Sequence, residues 1–386
     1  MYKFSAPMPY TKEDIQKLLD INNQIEKSKI TNLYFGLPSH CSMFTGFEQA
    51  RNINSDKTDF NFWENLMRYS LDKGFELIYL LNNPKPLDLA NPKFSEQIEK
   101  LKLLLTKLEE IGVTKIRAAA PQLLSYLGKY YSHFDIYAST SLDYKTLAEY
   151  QNFIMVHPEV KQIVPSHDVN KNFKLLKNIQ KDYPDIEIEI MVNEGCWKGC
   201  PHRSLHEIVD IDKSIIYNKE LSLSNNYSNI ICRYISEKYP FHGLTLNNNI
   251  YPWEIEEYFK IGINKFKLVG RDLLNEYPKI CINAYYNYLK TIDDYKFAEN
   301  QKIVNYIHHL MMGDYELQYL LTKDIRNLLP DIKYFKKYGH LCASGCGVEC
   351  RYCYKCAEKI EKVYKKKIHE LEKKSYYVPA CTMAQT

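Results

Sequence analysis

Eight short runs of β-forming residues, each parted from the next by a helical pattern, constrain this chain more than any other feature. They fall at residues 32–37, 75–81, 115–119, 134–138, 162–165, 187–192, 243–246 and 265–269. Between them apolar residues recur at three- and four-residue steps, at 12–27, 60–73, 94–111, 142–151, 170–181 and 252–261. Gly112 and Gly262 stand where a helix must end before the next strand begins. Eight β/α units in roughly 270 residues predict an α/β fold of the TIM-type (β/α)8 class. The competing open, doubly wound sheet calls for Gly-x-Gly-x-x-Gly after its first strand. Here that place is taken by Phe35-Gly36-Leu37-Pro38-Ser39-His40-Cys41. Beyond Leu274 the pattern turns helical at 278–292, 301–312 and 317–327, then ends in a cysteine-rich segment and a charged helix at 357–374. The expected organisation is a barrel over 1–274 and a helical, cysteine-rich extension over 275–386.

Composition narrows the function classes. A chain of 386 residues that is 45% hydrophobic can bury a large core. Its 51 basic and 47 acidic side chains leave a formal charge of +4, which gives no argument for nucleic acid and leaves RNA neither supported nor excluded. The N-terminus lacks the apolar core of a signal peptide, and no eighteen consecutive residues are apolar, so a cytoplasmic protein with no membrane partner is expected. In that compartment thiols stay reduced, and clustered cysteines read as ligands rather than disulfides.

Eight of the eleven cysteines form two groups. The first is Asn193-Glu194-Gly195-Cys196-x3-Cys200-Pro201, with Cys232 further on. The second is Cys342-x3-Cys346-x3-Cys350-x2-Cys353-x2-Cys356. Thiolates at turn-length intervals suit a soft metal centre, because a short loop can fold several sulfurs around one point only at such spacings. Five thiols within fifteen residues repel one another unless a cation neutralises them. The second group therefore predicts an iron–sulfur cluster or a four-cysteine zinc site. Cys346 to Cys353 also spell the three-then-two spacing of radical S-adenosylmethionine enzymes. Those enzymes place it after the first barrel strand, whereas only 33 residues follow Cys353, so an appended metal module is expected instead. Cys281 lies in a helical stretch and is the reserve ligand; Cys381 reads as a terminal free thiol.

In a (β/α)8 barrel the residues after each strand form the active-site face. Glu194, His167 and Asp168 end such runs and are the acid–base candidates. Arg203 and His206 follow the second cysteine of the first group, and Arg271 follows the last run; these three are the candidate substrate-binding residues, suited to anions. Lys265 and Lys267 fall on one face of their strand.

The stretch Ile186–His206 resembles the signature region of the collagenase-like U-type peptidases, family thirty-two of unassigned mechanism. Further pieces occur in order: Ala138-Ser139-Thr140-Ser141-Leu142, Ile163-Val164-Pro165, Ile250-Tyr251-Pro252-Trp253-Glu254 and Lys267-Leu268-Val269-Gly270-Arg271. Members of that family include oxygen-independent hydroxylases in which four cysteines hold a 4Fe-4S cluster. The resemblance implies such a cluster in the barrel, with Cys196, Cys200 and Cys232 as ligands and Cys41 as the early cysteine. It departs from the family in its Asn193-Glu194-Gly195 entry and in the gap before Cys200. The expected function is iron–sulfur redox chemistry, hydroxylation included, on a small molecule, base or peptide, with an electron donor or a paired homologous subunit as partner. Two alternatives stand beside it: a metal-containing peptidase or hydrolase, as the family name suggests, and a non-catalytic electron-transfer subunit. The sequence carries neither a His-Glu-x-x-His nor a Gly-x-Ser-x-Gly motif.

Overall fold

The computed structural model describes residues 1–38, 41–48, 59–84, 94–200, 203, 245–274, 278–294 and 327–373. Eight parallel strands close into a barrel in chain order: β1 (Tyr2–Pro7), β2 (Ser28–Phe35), β3 (Glu76–Leu81), β4 (Lys115–Ala118), β5 (Asp135–Ala138), β6 (Val160–Ile163), β7 (Glu187–Met191) and β8 (Lys265–Lys267). The expected (β/α)8 class is the observed one.

Two strand assignments change. The N-terminal segment forms β1, which closes the ring by pairing with β2 and with β8, where Lys3 faces Lys265 and Ser5 faces Lys267. The run at 243–246 is not a barrel strand within its described part. Leu246 instead accepts a hydrogen bond from the Lys198 amide, and Asn247 bridges antiparallel to Trp197. Its β-forming residues are used against a loop rather than against the sheet.

The helices over the barrel follow from apolar stripes and caps. They are α1 (Lys12–Gln24), α2 (Phe60–Asp72), α3 (Phe94–Ile111), α4 (Pro121–Tyr130), α5 (Leu147–Val156) and α6 (Phe173–Asp182). Thr11 caps α1 by accepting from the Asp14 amide, and Thr146 with Glu149 forms a capping box at α5. Gly112 and Gly262 close their helices with φ of +102° and +88°, the left-handed geometry expected of them. In α3, Leu101, Leu104, Leu105 and Leu108 are fully buried against the barrel. Leu104→Ala should therefore lower the unfolding free energy by about 2–5 kcal/mol in a urea titration, and a change below ~1 kcal/mol would contradict this packing.

After β8 the cover is the helix Pro278–Asp293, which lies beyond the expected boundary at residue 274. Tyr285 and Tyr288 donate from it to the carbonyls of Val269 and Ile250, and the Asp293 carboxylate accepts from the Glu26 and Lys27 amides. The final segments fold back onto the barrel. Ile332–Tyr338 packs on α6, Leu341–Ser344 on the turn His167–Val169 after β6, and Tyr352–Lys373 runs past them. A small second core of Tyr251, Leu329, Ala357 and Ile360 joins that last helix to the barrel. The helical patterns at 301–312 and 317–326 lie outside the described residues. No described helix is long and apolar enough to cross a membrane.

Candidate active site at the barrel mouth

The loop that carries Cys196 and Cys200 leaves β7 and is held from three sides. The Asn193 side chain donates to the Val269 carbonyl and accepts from the Val269 amide, extending the β7–β8 pairing past the strands. Glu194 turns its carboxylate onto the Cys196 amide at 2.9 Å. Asp168, buried in the turn after β6, accepts from the Gly199 amide and from Asn248 Nδ2, both at 3.0 Å, through one oxygen. Its other oxygen meets Lys145 Nζ at 3.1 Å. Both oxygens are thus engaged, and Asp168 anchors the cysteine loop to the β6 side of the mouth. Beside it His167 is buried with neither ring nitrogen hydrogen-bonded, its Nε2 4.0 Å from Asp168 Oδ1.

Lys198, midway between Cys196 and Cys200, reaches the C-terminal cysteines. It lies in the field of Cys342 first, then of Cys353 and Cys346. Burial pulls its ammonium down, yet these thiols hold it above the usual lysine range. The aromatic ring of Phe335 lies under it and under Lys171, which itself pairs with buried Glu254 at 3.4 Å. A backbone contact fixes this docking. A Cβ on Gly339 would stand 1.9 Å from the Lys171 carbonyl oxygen, so only glycine lets the extension approach the barrel there.

The C-terminal thiols are arranged by a tight turn and a helix start. The amides of Glu349 and Cys350 donate to the Gly345 carbonyl, and the Gly347 amide, at φ +87°, donates to Cys350. Tyr334 stacks on Tyr352 at 3.8 Å and sets its hydroxyl 3.4 Å from Cys350 Sγ. Burial raises the thiols of Cys346 and Cys356, and pushes Cys353 up to about 12. Cys346 also feels Cys342 and Cys350, while Cys353 feels Cys342 and Cys356. The donor set is right in kind for a thiolate-bound metal, and the sulfurs lie within electrostatic reach of one another. Among the described residues, however, no three His, Cys, Asp or Glu side chains converge enough to hold a single metal ion. A tetrahedral zinc site, with every sulfur about 2.3 Å from one point, is not preformed there.

The first cysteine group is only partly visible. Cys196 and Cys200 are half-buried on the mouth loop, and Arg203 continues it by donating its amide to the Cys200 carbonyl. Cys232 and His206 lie outside the described residues, as does Cys381. Cys41 is buried after β2, where burial raises its thiol and Glu48 and Asp59 add to the effect. Together with Cys196 and Cys200 it forms no metal-holding group among the described residues. Cys281 is buried in the helix Pro278–Asp293 and pushed up to about 12 by burial alone, the environment of a packing residue.

A third constellation joins Lys267 and Arg271 to Arg117, which the sequence does not single out. Arg117 on β4 points into the barrel, fully buried, with one nitrogen 2.6 Å from both Gln162 Oε1 on β6 and Glu189 Oε2 on β7. Lys267 on β8 lies 4.5 Å from the Tyr34 ring centroid and faces Arg271, the first residue of the short helix Arg271–Leu274 at the mouth. Lys265, on the same face of the strand, reaches the opposite end, where it pairs with Glu187. Barrel interiors are filled mainly by Val, Ile and Leu, so charged groups on three strands mark this one as specialised.

No family model matches the chain, and no curated protein matches it. Solved structures give distant likenesses. A U32 peptidase, Mk0906, aligns at TM-score 0.45 and 13% identity over 70% of this chain and 92% of its own. The N-acetylneuraminate lyase of Mycoplasma synoviae aligns at 0.34 and 13% over 94% and 98%. CpGH84B aligns at 0.37 and 9% over 97% and 71%. No residue role is carried over from any of them.

Proposed function

We propose that this chain is a (β/α)8-barrel iron–sulfur enzyme performing oxygen-independent redox chemistry on a substrate bound at the barrel mouth. One observation carries the reading: the loop of Cys196 and Cys200 and the helix of Cys342 converge on the turn after β6, where the Gly199 amide donates to Asp168 and Leu341–Ser344 packs on His167–Val169. Two segments far apart in sequence, each bearing thiols, thus approach the same turn after β6. Cys342, Cys346, Cys350 and Cys353 are the residues to hold the C-terminal cluster, and Cys196 and Cys200, with Cys232, the barrel one. When bound, such clusters supply one-electron transfer.

The remaining residues bind and orient. Asp168 fixes the loop through the Gly199 amide, and Glu194 fixes the Cys196 backbone. His167, buried with neither ring nitrogen hydrogen-bonded and the turn of Cys342 packed on it, is the acid–base candidate of this reading. Arg271 offers a fixed positive charge to a substrate anion.

Metal analysis of anaerobically purified protein tests the reading. Iron with acid-labile sulfide and a broad visible absorption are expected. A colourless protein holding zinc alone would overturn the redox reading and favour the hydrolase.

A further inference from the structure

At the floor of the mouth a buried lysine has no ion-pair partner among the described residues. Arg117 is fully buried, and its Nε and Nη1 atoms have no hydrogen-bond partner. Its one carboxylate partner, Glu189, is 2.6 Å away and faces that same guanidinium. Lys267, next to it on β8, makes no ion pair among the described residues. The groups facing Lys267 come from every side: Arg117 from β4, Glu189 from β7, Glu194 from the loop after β7, Arg271 from the end of its own strand, and the Tyr34 ring from β2. Glu194 is turned toward the Cys196 amide. Two cations and two already engaged carboxylates therefore surround a third cation.

A buried cation without a partner is costly, and proteins keep such an arrangement where a ligand completes it. Lys267 sits deep enough to be nearly covered, at 8% exposure, while its neighbours Glu194 and Arg271 belong to the open end of the barrel. The alternative, a purely structural network, would pair Lys267 with a carboxylate, as Lys265 is paired with Glu187 one layer below. We propose that Lys267, with Arg271 beside it and Arg117 beneath, forms a subsite for an oxyanionic group of the substrate, a carboxylate or a phosphate. This subsite does not depend on what the cysteines hold.

The electrostatics agree. Burial first, and then the two arginines, bring the Lys267 ammonium down to about 7. An anion seated there favours the charged amine, so binding takes up a proton. The folded protein should hold oxyanions well below pH 7 and release them progressively as pH rises above it.

The experiment is calorimetric titration of the intact protein with sulfate, which keeps its charge over pH 6–9, and with malonate as a dicarboxylate. Binding of at least one of them is expected, with affinity flat near pH 6 and falling about tenfold per pH unit above 7. Preference for sulfate or for malonate separates a phosphate from a carboxylate group. Lys267→Met should lose both binding and its pH dependence, and Lys267→Arg should bind without pH dependence between pH 6 and 9, since arginine stays charged. Circular dichroism of both variants checks the fold. If neither anion binds wild type, or if the pH dependence survives in Lys267→Arg, the proposal fails.

Discussion

Replacing Arg117 by alanine should destabilise the barrel by about 3–5 kcal/mol, the cost of leaving a buried charge without its partner. Arg117 is fully buried and joins β4 to β6 and β7 through Gln162 and Glu189, so its loss strands the Glu189 carboxylate among apolar and cationic groups. The cavity left by the side chain adds to the loss. Chemical denaturation of wild type and variant measures it. The double variant Arg117→Met, Glu189→Met should recover most of the lost stability, because removing both charges removes the desolvation penalty with them. A single variant within ~1 kcal/mol of wild type would show that the pair is not held in the interior as described.

The second large effect lies where the extension meets the barrel. Gly339→Ala puts a Cβ 1.9 Å from the Lys171 carbonyl oxygen and 2.5 Å from that of Phe335, both backbone atoms that cannot swing aside. The extension must lift. Hydrogen exchange should then quicken about tenfold or more, the equivalent of ~1.4 kcal/mol, in residues 167–171, 196–200 and 335–350, while α3 and the strands stay protected. Exchange unchanged in the first two segments would mean that the cysteine module does not seat on the mouth.

Much of the architecture was legible because periodicity reports burial. The runs at 75–81, 115–119 and 187–192 are strands nearly as read, and the helix at 94–111 is found at those bounds. β1 was missed because Ser5, Ala6 and Pro7 are weak strand formers, and its place is set by partners on both sides rather than by local preference. The run at 243–246 misled for the converse reason, since β propensity does not name the partner. The cysteine groups were legible from spacing. Their approach to one turn was not, because Gly199 and the helix Leu341–Ser344 reach that turn from distant parts of the sequence and nothing local links them.

The interior charges were hidden differently. Lys265-Phe266-Lys267 and Glu187-Ile188-Glu189 alternate like strands with one wet face, and an inward polar face gives the same pattern. The usable signal was the opposite signs carried by different strands, positive at Arg117 on β4 and Lys267 on β8 and negative at Glu189 on β7. Asp168 is an acid–base candidate by its position at a strand end, and the structure adds that it holds the cysteine loop through Gly199, a contact that strand-end position does not announce.

The proposed cluster held by the C-terminal cysteines at the barrel mouth has a direct test. Iron and sulfide determination on anaerobically prepared wild type and on the double variant Cys346→Ser, Cys350→Ser, with electron paramagnetic resonance after reduction, tests it most directly. The variant should lose roughly four irons and four sulfides per chain together with one reduced-cluster signal, and keep the rest. Equal iron, sulfide and signal in the two proteins would contradict it.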